Sequence, residues 1–129
     1  YRDLGRQRGE AASLRDLGKV AKKLNEYEAA GKYHQQSLEI FRDTDDQRGE
    51  AASLGDLGNL ARKLNKYEAA GKYHQQSLEM FRDIGDQRGE AACLGNLGNV
   101  ARSVGEYEAA RKYHQQSLKI SRDLGHRSG

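Results

Sequence analysis

Neither proline nor tryptophan occurs in the 129 residues, and apolar side chains make up only 36% of them. Burial must therefore come from narrow stripes of Leu, Ala and Tyr rather than from a thick core. The lone cysteine, Cys93, has no partner for an intramolecular disulfide, which fits a small packing position in a reducing, cytoplasmic setting. No apolar run approaches the roughly 20 residues of a membrane helix, and no signal peptide is visible. What is plentiful is glycine, 15 residues of it. Inside a helix each costs about 1 kcal/mol against alanine, so modest stability is expected.

The dominant positive feature is repetition. Tyr33-His34-Gln35-Gln36-Ser37-Leu38 returns from Tyr73 and again from Tyr113, and Arg8-Gly9-Glu10-Ala11-Ala12 returns at Arg48 and Arg88. The period is 40 residues without insertion, giving units at about 6–45, 46–85 and 86–125. A unit of this size cannot bury its apolar face alone, so neighbours must stack into a solenoid. Tyr1 matches Phe41 and Phe81 near the end of a unit, and Gly129 matches Gly89 near the start of one. The chain is therefore expected to be an excerpt of a longer protein.

Each unit reads as two helices. In the middle copy Ala51, Leu54, Leu57, Gly58, Ala61 and Leu64 recur at three- and four-residue steps, one face of a helix. Asp46 is its expected N-cap. The stripe ends at Asn65, matched by Asn25 and Gly105, residues that tolerate left-handed backbone at a tight turn. A second stripe, Tyr67, Ala70, Tyr73, His74, Ser77, Leu78 and Phe81, ends where Gly5, Gly85 and Gly125 are expected to cap their copies. Helices of about 17 residues span roughly 25 Å. Gly58, Ala61 and Ala70 should let the two axes approach closely. Strand signals are absent.

Leu57-Gly58, Tyr67, Ala70 and Leu78, with their counterparts, resemble the signature of the tetratricopeptide repeat. With Leu94-Gly95-Asn96-Leu97-Gly98-Asn99 and the Tyr-His pair, the longer unit is similar to the Partner of Inscuteable/LGN subclass. The resemblance covers essentially the whole chain. It implies an all-α, right-handed superhelix of three antiparallel helix pairs, in which the first helix of each pair lines a concave groove. Departures are Ala21, Ala61 and Ala101 where the family often has a large residue, and Gly31, Gly71 and Arg111 where it commonly has an apolar one.

Comparison among the copies singles out one face. Leu14/Leu54/Leu94, Leu17/Leu57/Leu97, Gly18/Gly58/Gly98 and Ala30/Ala70/Ala110 agree. Five positions of the first helix diverge: Arg15/Gly55/Gly95, Asp16/Asp56/Asn96, Lys19/Asn59/Asn99, Lys22/Arg62/Arg102 and Lys23/Lys63/Ser103. At 100° per residue they share a side opposite the core stripe. An exposed face drifting after duplication would look like this, and so would a groove that reads a ligand. As a groove it favours anions, because its cations outnumber Asp16 and Asp56. Arginine clamps carboxylates, asparagine holds peptide backbone, and Gly55 and Gly95 would leave room. An acidic, extended peptide is the natural fit, which makes the array a protein-interaction module.

Other functions fit less well. Equivalent histidines His34, His74 and His114 lie at least one helix packing distance apart, about 8–10 Å, and zinc ligands each reach about 2 Å. They are read as packed side chains, and no metal or cofactor is expected. Nucleophile elbow and phosphate loop are absent, so the chain is not read as an enzyme. A net charge of +3 permits nucleic acid, but Tyr27, Tyr67 and Tyr107 belong to the apolar stripe and Glu26, Glu28, Glu68 and Glu108 break any basic track. An architectural role remains, either as a spacer or through head-to-tail self-association of uncapped ends.

Overall fold

The computed structural model describes residues 3–128, with side chains through residue 126. Tyr1 and Gly129 lie outside the described residues. Six helices follow one another: α1 (Leu4–Lys23), α2 (Tyr27–Asp43), α3 (Gln47–Lys63), α4 (Tyr67–Asp83), α5 (Gln87–Ser103) and α6 (Tyr107–Ser128). There is no strand among the described residues. The helices α2 to α5 each run 17 residues.

Local chemistry sets the boundaries. The Asp46 and Asp86 carboxylates accept from the Gly49 and Gly89 amides at 3.0 Å, satisfying a donor that the first helical turn leaves free. The bond from Gly89, together with Arg48, holds the Asp86 carboxyl below the usual range against the opposing effect of burial. At the other ends Asn25, Asn65 and Gly105 adopt φ of 64°, 63° and 85°. The amides of Glu26, Lys66 and Glu106 then reach back to the carbonyls of Ala21, Ala61 and Ala101 at 2.8, 2.8 and 2.9 Å, closing Schellman turns. Tyr27 and Tyr67 lock two of them by donating to the Asn25 and Asn65 side chains.

Gly85 ends α4 with φ of 73°, and Asp45 takes the corresponding left-handed place after α2 at 55°. The expectation for Gly5 and Gly125 is corrected. Both lie inside helices, α1 and α6. Asp3 accepts from the Gly5 amide at 3.0 Å, so Gly5 opens a helix. No described helix packs behind α6 to turn the chain, and lengthening a formed helix needs no new nucleus.

Successive helices pack on one another, and α1 also touches α3 and α3 touches α5, while no such approach joins α2 to α4 or α4 to α6. The first helices of the pairs therefore form an inner layer and the second helices an outer one. The core lies at the junctions between repeats. Leu38 meets Leu54 and Leu57; Leu78 meets Cys93, Leu94 and Leu97. Ala21 and Ala30 close on Leu60, and Ala61 and Ala70 on Val100.

Two kinds of glycine socket hold the stack. A Cβ at Gly18, Gly58 or Gly98 would fall within 2.8 Å of the ring of His34, His74 or His114, so each histidine packs against a bare backbone in its own repeat. A Cβ at Gly49 or Gly89 would collide with Phe41 or Phe81 of the preceding repeat. These phenylalanines are wedges between repeats.

Candidate functional site: the inner face

The twelve residues singled out by divergence all belong to α1, α3 and α5, the inner layer. Asp16, Lys19, Lys23, Lys63 and Arg102 are exposed, while Arg15, Lys22, Asp56, Asn59, Arg62, Asn96 and Asn99 are half-buried. The face is not a uniform row of cations. Arg15 Nε donates to Asp56 Oδ2 at 2.7 Å, and His34 Nδ1 lies 3.6 Å from the same oxygen. That pair ties α1 to α3 and commits Arg15 Nε and Asp56 Oδ2 to each other. Burial keeps His34 below its ordinary range, outweighing Asp56, with Arg15 and the nearby lysines acting in the same direction as burial.

Beyond this pair the cations crowd together. Lys19, Lys22, Lys23, Asn25 and Lys63 line a hollow of about 440 Å³ at the α1–α3 edge, with no carboxylate in its wall. The Lys22 amine lies below its usual range because of burial first and Arg62 second, with Asp56 opposing and Lys63 and Lys23 adding to the fall. Towards α5 the charge thins out, and Asn96 and Asn99 stand where α1 carries Asp16 and Lys19. At Gly55 and Gly95 a Cβ would meet only the hydroxyls of Ser77 and Ser117 at 3.8 Å, ordinary contact with the outer helices.

Sequence reasoning missed a second depression. Tyr67, Gly71, Gln75, Val100, Val104 and Tyr113 help to line about 500 Å³ between α4 and the third repeat. In the preceding repeat Leu60 reaches to 3.5 Å of a Cβ at Gly31, whereas nothing lies within 4 Å of one at Gly71. The signal was the shortening of Leu60 and Leu64 to Val100 and Val104.

Buried polar groups pair across the layers. Ser37 and Ser53 hydroxyls lie 2.9 Å apart; Cys93 Sγ donates to Ser77 Oγ, which donates to the Ala51 carbonyl. Burial pushes the Cys93 thiol up, so it stays a packed thiol. No helix among the described residues is long and apolar enough to cross a membrane.

The profile of a family described as tetratricopeptide repeat matches residues 9–83 and 47–123. No curated protein matches the chain. Among solved structures, BtubC (BKLC) from P. vanneervenii is 21% identical with a TM-score of 0.82, over 89% of this chain and 48% of that one. The TPR domain of Arabidopsis FLU is 21% identical with a TM-score of 0.83, over 91% and 98%. Aspartyl phosphate phosphatase F from Bacillus subtilis is 16% identical with a TM-score of 0.88, over 97% and 32%. The chain thus spans about half of the first protein and a third of the last. At these identities the likeness is one of fold.

Proposed function

Because the chain belongs to the tetratricopeptide-repeat family, we propose that it is a protein-interaction scaffold whose inner face binds an extended, acidic segment of a partner protein. The observation that carries this reading is the hollow walled by Lys19, Lys22, Lys23 and Lys63 without a carboxylate. Arg62 and Arg102 hold the register of Lys22 on α3 and α5, and Asn59, Asn96 and Asn99 supply groups that both donate to and accept from a peptide backbone. The role is that of a binding surface rather than an enzyme, in a larger cytoplasmic protein. The 40-residue period fits Partner of Inscuteable/LGN-type units better than the usual 34.

The test replaces Lys19, Lys22, Arg62 and Arg102 with Glu and titrates an acidic peptide by calorimetry. Binding should vanish while far-UV helicity persists, since Lys19 and Arg102 are exposed, Lys22 and Arg62 are only half-buried, and charge changes outside the core cost little stability. Equal affinity in the folded, charge-reversed protein would refute the groove. Nucleic acid fits less well, because the Tyr27 and Tyr67 rings pack against the apolar clusters at the repeat junctions rather than standing free for stacking. Self-association is a second reading, favoured by the exposure of Leu17 (48%) and Val20 (54%) on α1, Leu24 (63%) at its C-terminal cap and Leu118 (49%) on α6.

A further inference from the structure

Lys22, Arg62 and Arg102 hold the same place in successive repeats. Since α1 touches α3 and α3 touches α5, helix packing sets the expected spacing of these cations at about 8–10 Å. Among the described residues none of the three has a carboxylate partner within ion-pair reach. One turn earlier on the same side stand Lys19, Asn59 and Asn99. The inner face is therefore a ruler: at this register every repeat places an unpaired cation, with an amide beside it in the second and third.

Regular peptide conformations match this ruler unequally. In a β-strand, side chains on one face recur about every 6.6–6.8 Å. An α-helix turns every 5.4 Å or so. A polyproline II helix has three residues per turn and rises about 3.1 Å per residue, so every third side chain recurs on one face near 9.3 Å. It also makes no internal hydrogen bonds, leaving amides and carbonyls free for Asn59 and Asn99. Resting on the peptide-groove reading above, we propose that the partner segment lies along α1, α3 and α5 as a polyproline II helix with an acidic residue at every third position, one per repeat. An acidic side chain beside Lys22 would also relieve the repulsion from Arg62 that, after burial, holds its amine below the usual range.

The experiment uses labelled peptides of identical composition and net charge. One carries glutamate at every third position between prolines and alanines; the other carries the same glutamates side by side. Anisotropy titrations at physiological salt should show the spaced peptide binding about tenfold tighter. Lys22→Gln, Arg62→Gln or Arg102→Gln should each erase most of that preference, whereas Lys72→Gln on the outer layer, where Lys72 pairs with Glu68, should leave it intact. Arg102 is exposed, so its variant carries the test even if the half-buried Arg62 variant misfolds. Equal affinity for the two peptides overturns the spacing while the groove stands. If the folded protein binds neither, the groove reading falls and the spacing with it. Tighter binding of oligothymidylate of matched charge, with the steep salt dependence of phosphate contacts, would overturn the proposal in favour of nucleic acid.

Discussion

A methyl group added at Gly71 meets open space, whereas one added at Gly58 lands 2.7 Å from the His74 ring. Both glycines are helical, so both carry the same backbone-entropy cost. Gly71→Ala should therefore stabilise by about 0.4–1 kcal/mol, while Gly58→Ala should destabilise by about 1–3 kcal/mol through overpacking. Denaturant melts of the two variants check the pair, and a loss of stability in the Gly71 variant would show that the depression beside it is filled. His74 carries a second consequence. Its ring is 0% exposed and neither nitrogen has a partner. Burial first and Arg62 second lower its pKa from 6.5 to about 4. Between those values the unfolded chain holds more protons than the folded one, so stability falls as the pH drops through this window and the His74 loss levels off below it. The loss is on the order of 3 kcal/mol, and His34 shifts in the same direction. Thermal melts from neutral pH down to about 4 should show the decline, shallower in His74→Leu. A flat melting temperature would count against neutral buried rings.

The helices show which features a repeated pattern makes visible. Asn25, Asn65 and Gly105 announced the left-handed turns because few residues tolerate that backbone, and Asp46 announced a start because it offers a short side-chain acceptor, a role Asp86 repeats one period later. The leucine stripe was equally plain. Leu57 is 6% exposed against Leu38 and Leu54, so Leu57→Ala should cost about 2–5 kcal/mol. Urea unfolding followed by circular dichroism measures it, and a cost well under that range would mean the junction collapses around the cavity. Less visible was anything that depends on which helix comes next. Gly5 and Gly125 share a register position with Gly85, yet they lie inside helices, since glycine permits a left-handed turn without requiring one. Phe41 and Phe81 were legible as stripe residues, but their pairing with Gly49 and Gly89 was not. That contact links repeats, and the wedge disappears from the third copy, where Ser121 replaces it. At the inner face, divergence between copies selected α1, α3 and α5. It could not show that Arg15 and Asp56 pair with each other, because that ion pair joins two different register positions.

At the scale of the whole molecule, the two ends are imperfect copies of an internal junction. Inside the stack, Phe41 fills the Gly49 socket, and Arg48 donates to the Asp86 carboxylate at 3.0 Å. If the last repeat of one chain stacked on the first of another, Leu118 and Leu17 would supply apolar contact as Leu38 and Leu57 do internally. The wedge would not form, since Ser121 stands at its place and the Gly9 socket has nothing within 4 Å. Following the same register, Arg88 would meet Arg6 where Arg48 meets Asp86, so the electrostatic contact reverses sign. Such a head-to-tail contact propagates rather than closing, and these two mismatches should keep it weak. Ser121→Phe together with Arg6→Asp restores both. The aromatic side chain adds about 1.5–3 kcal/mol of burial, and the acid at position 6 removes the repulsion while suiting the start of α1. Association should therefore tighten by about tenfold or more, read as a rising mean sedimentation coefficient over a concentration series. A variant that stays as monomeric as its parent would exclude end-to-end stacking by the internal register, and the exposed leucines of α1 and α6 would then need a different occupant.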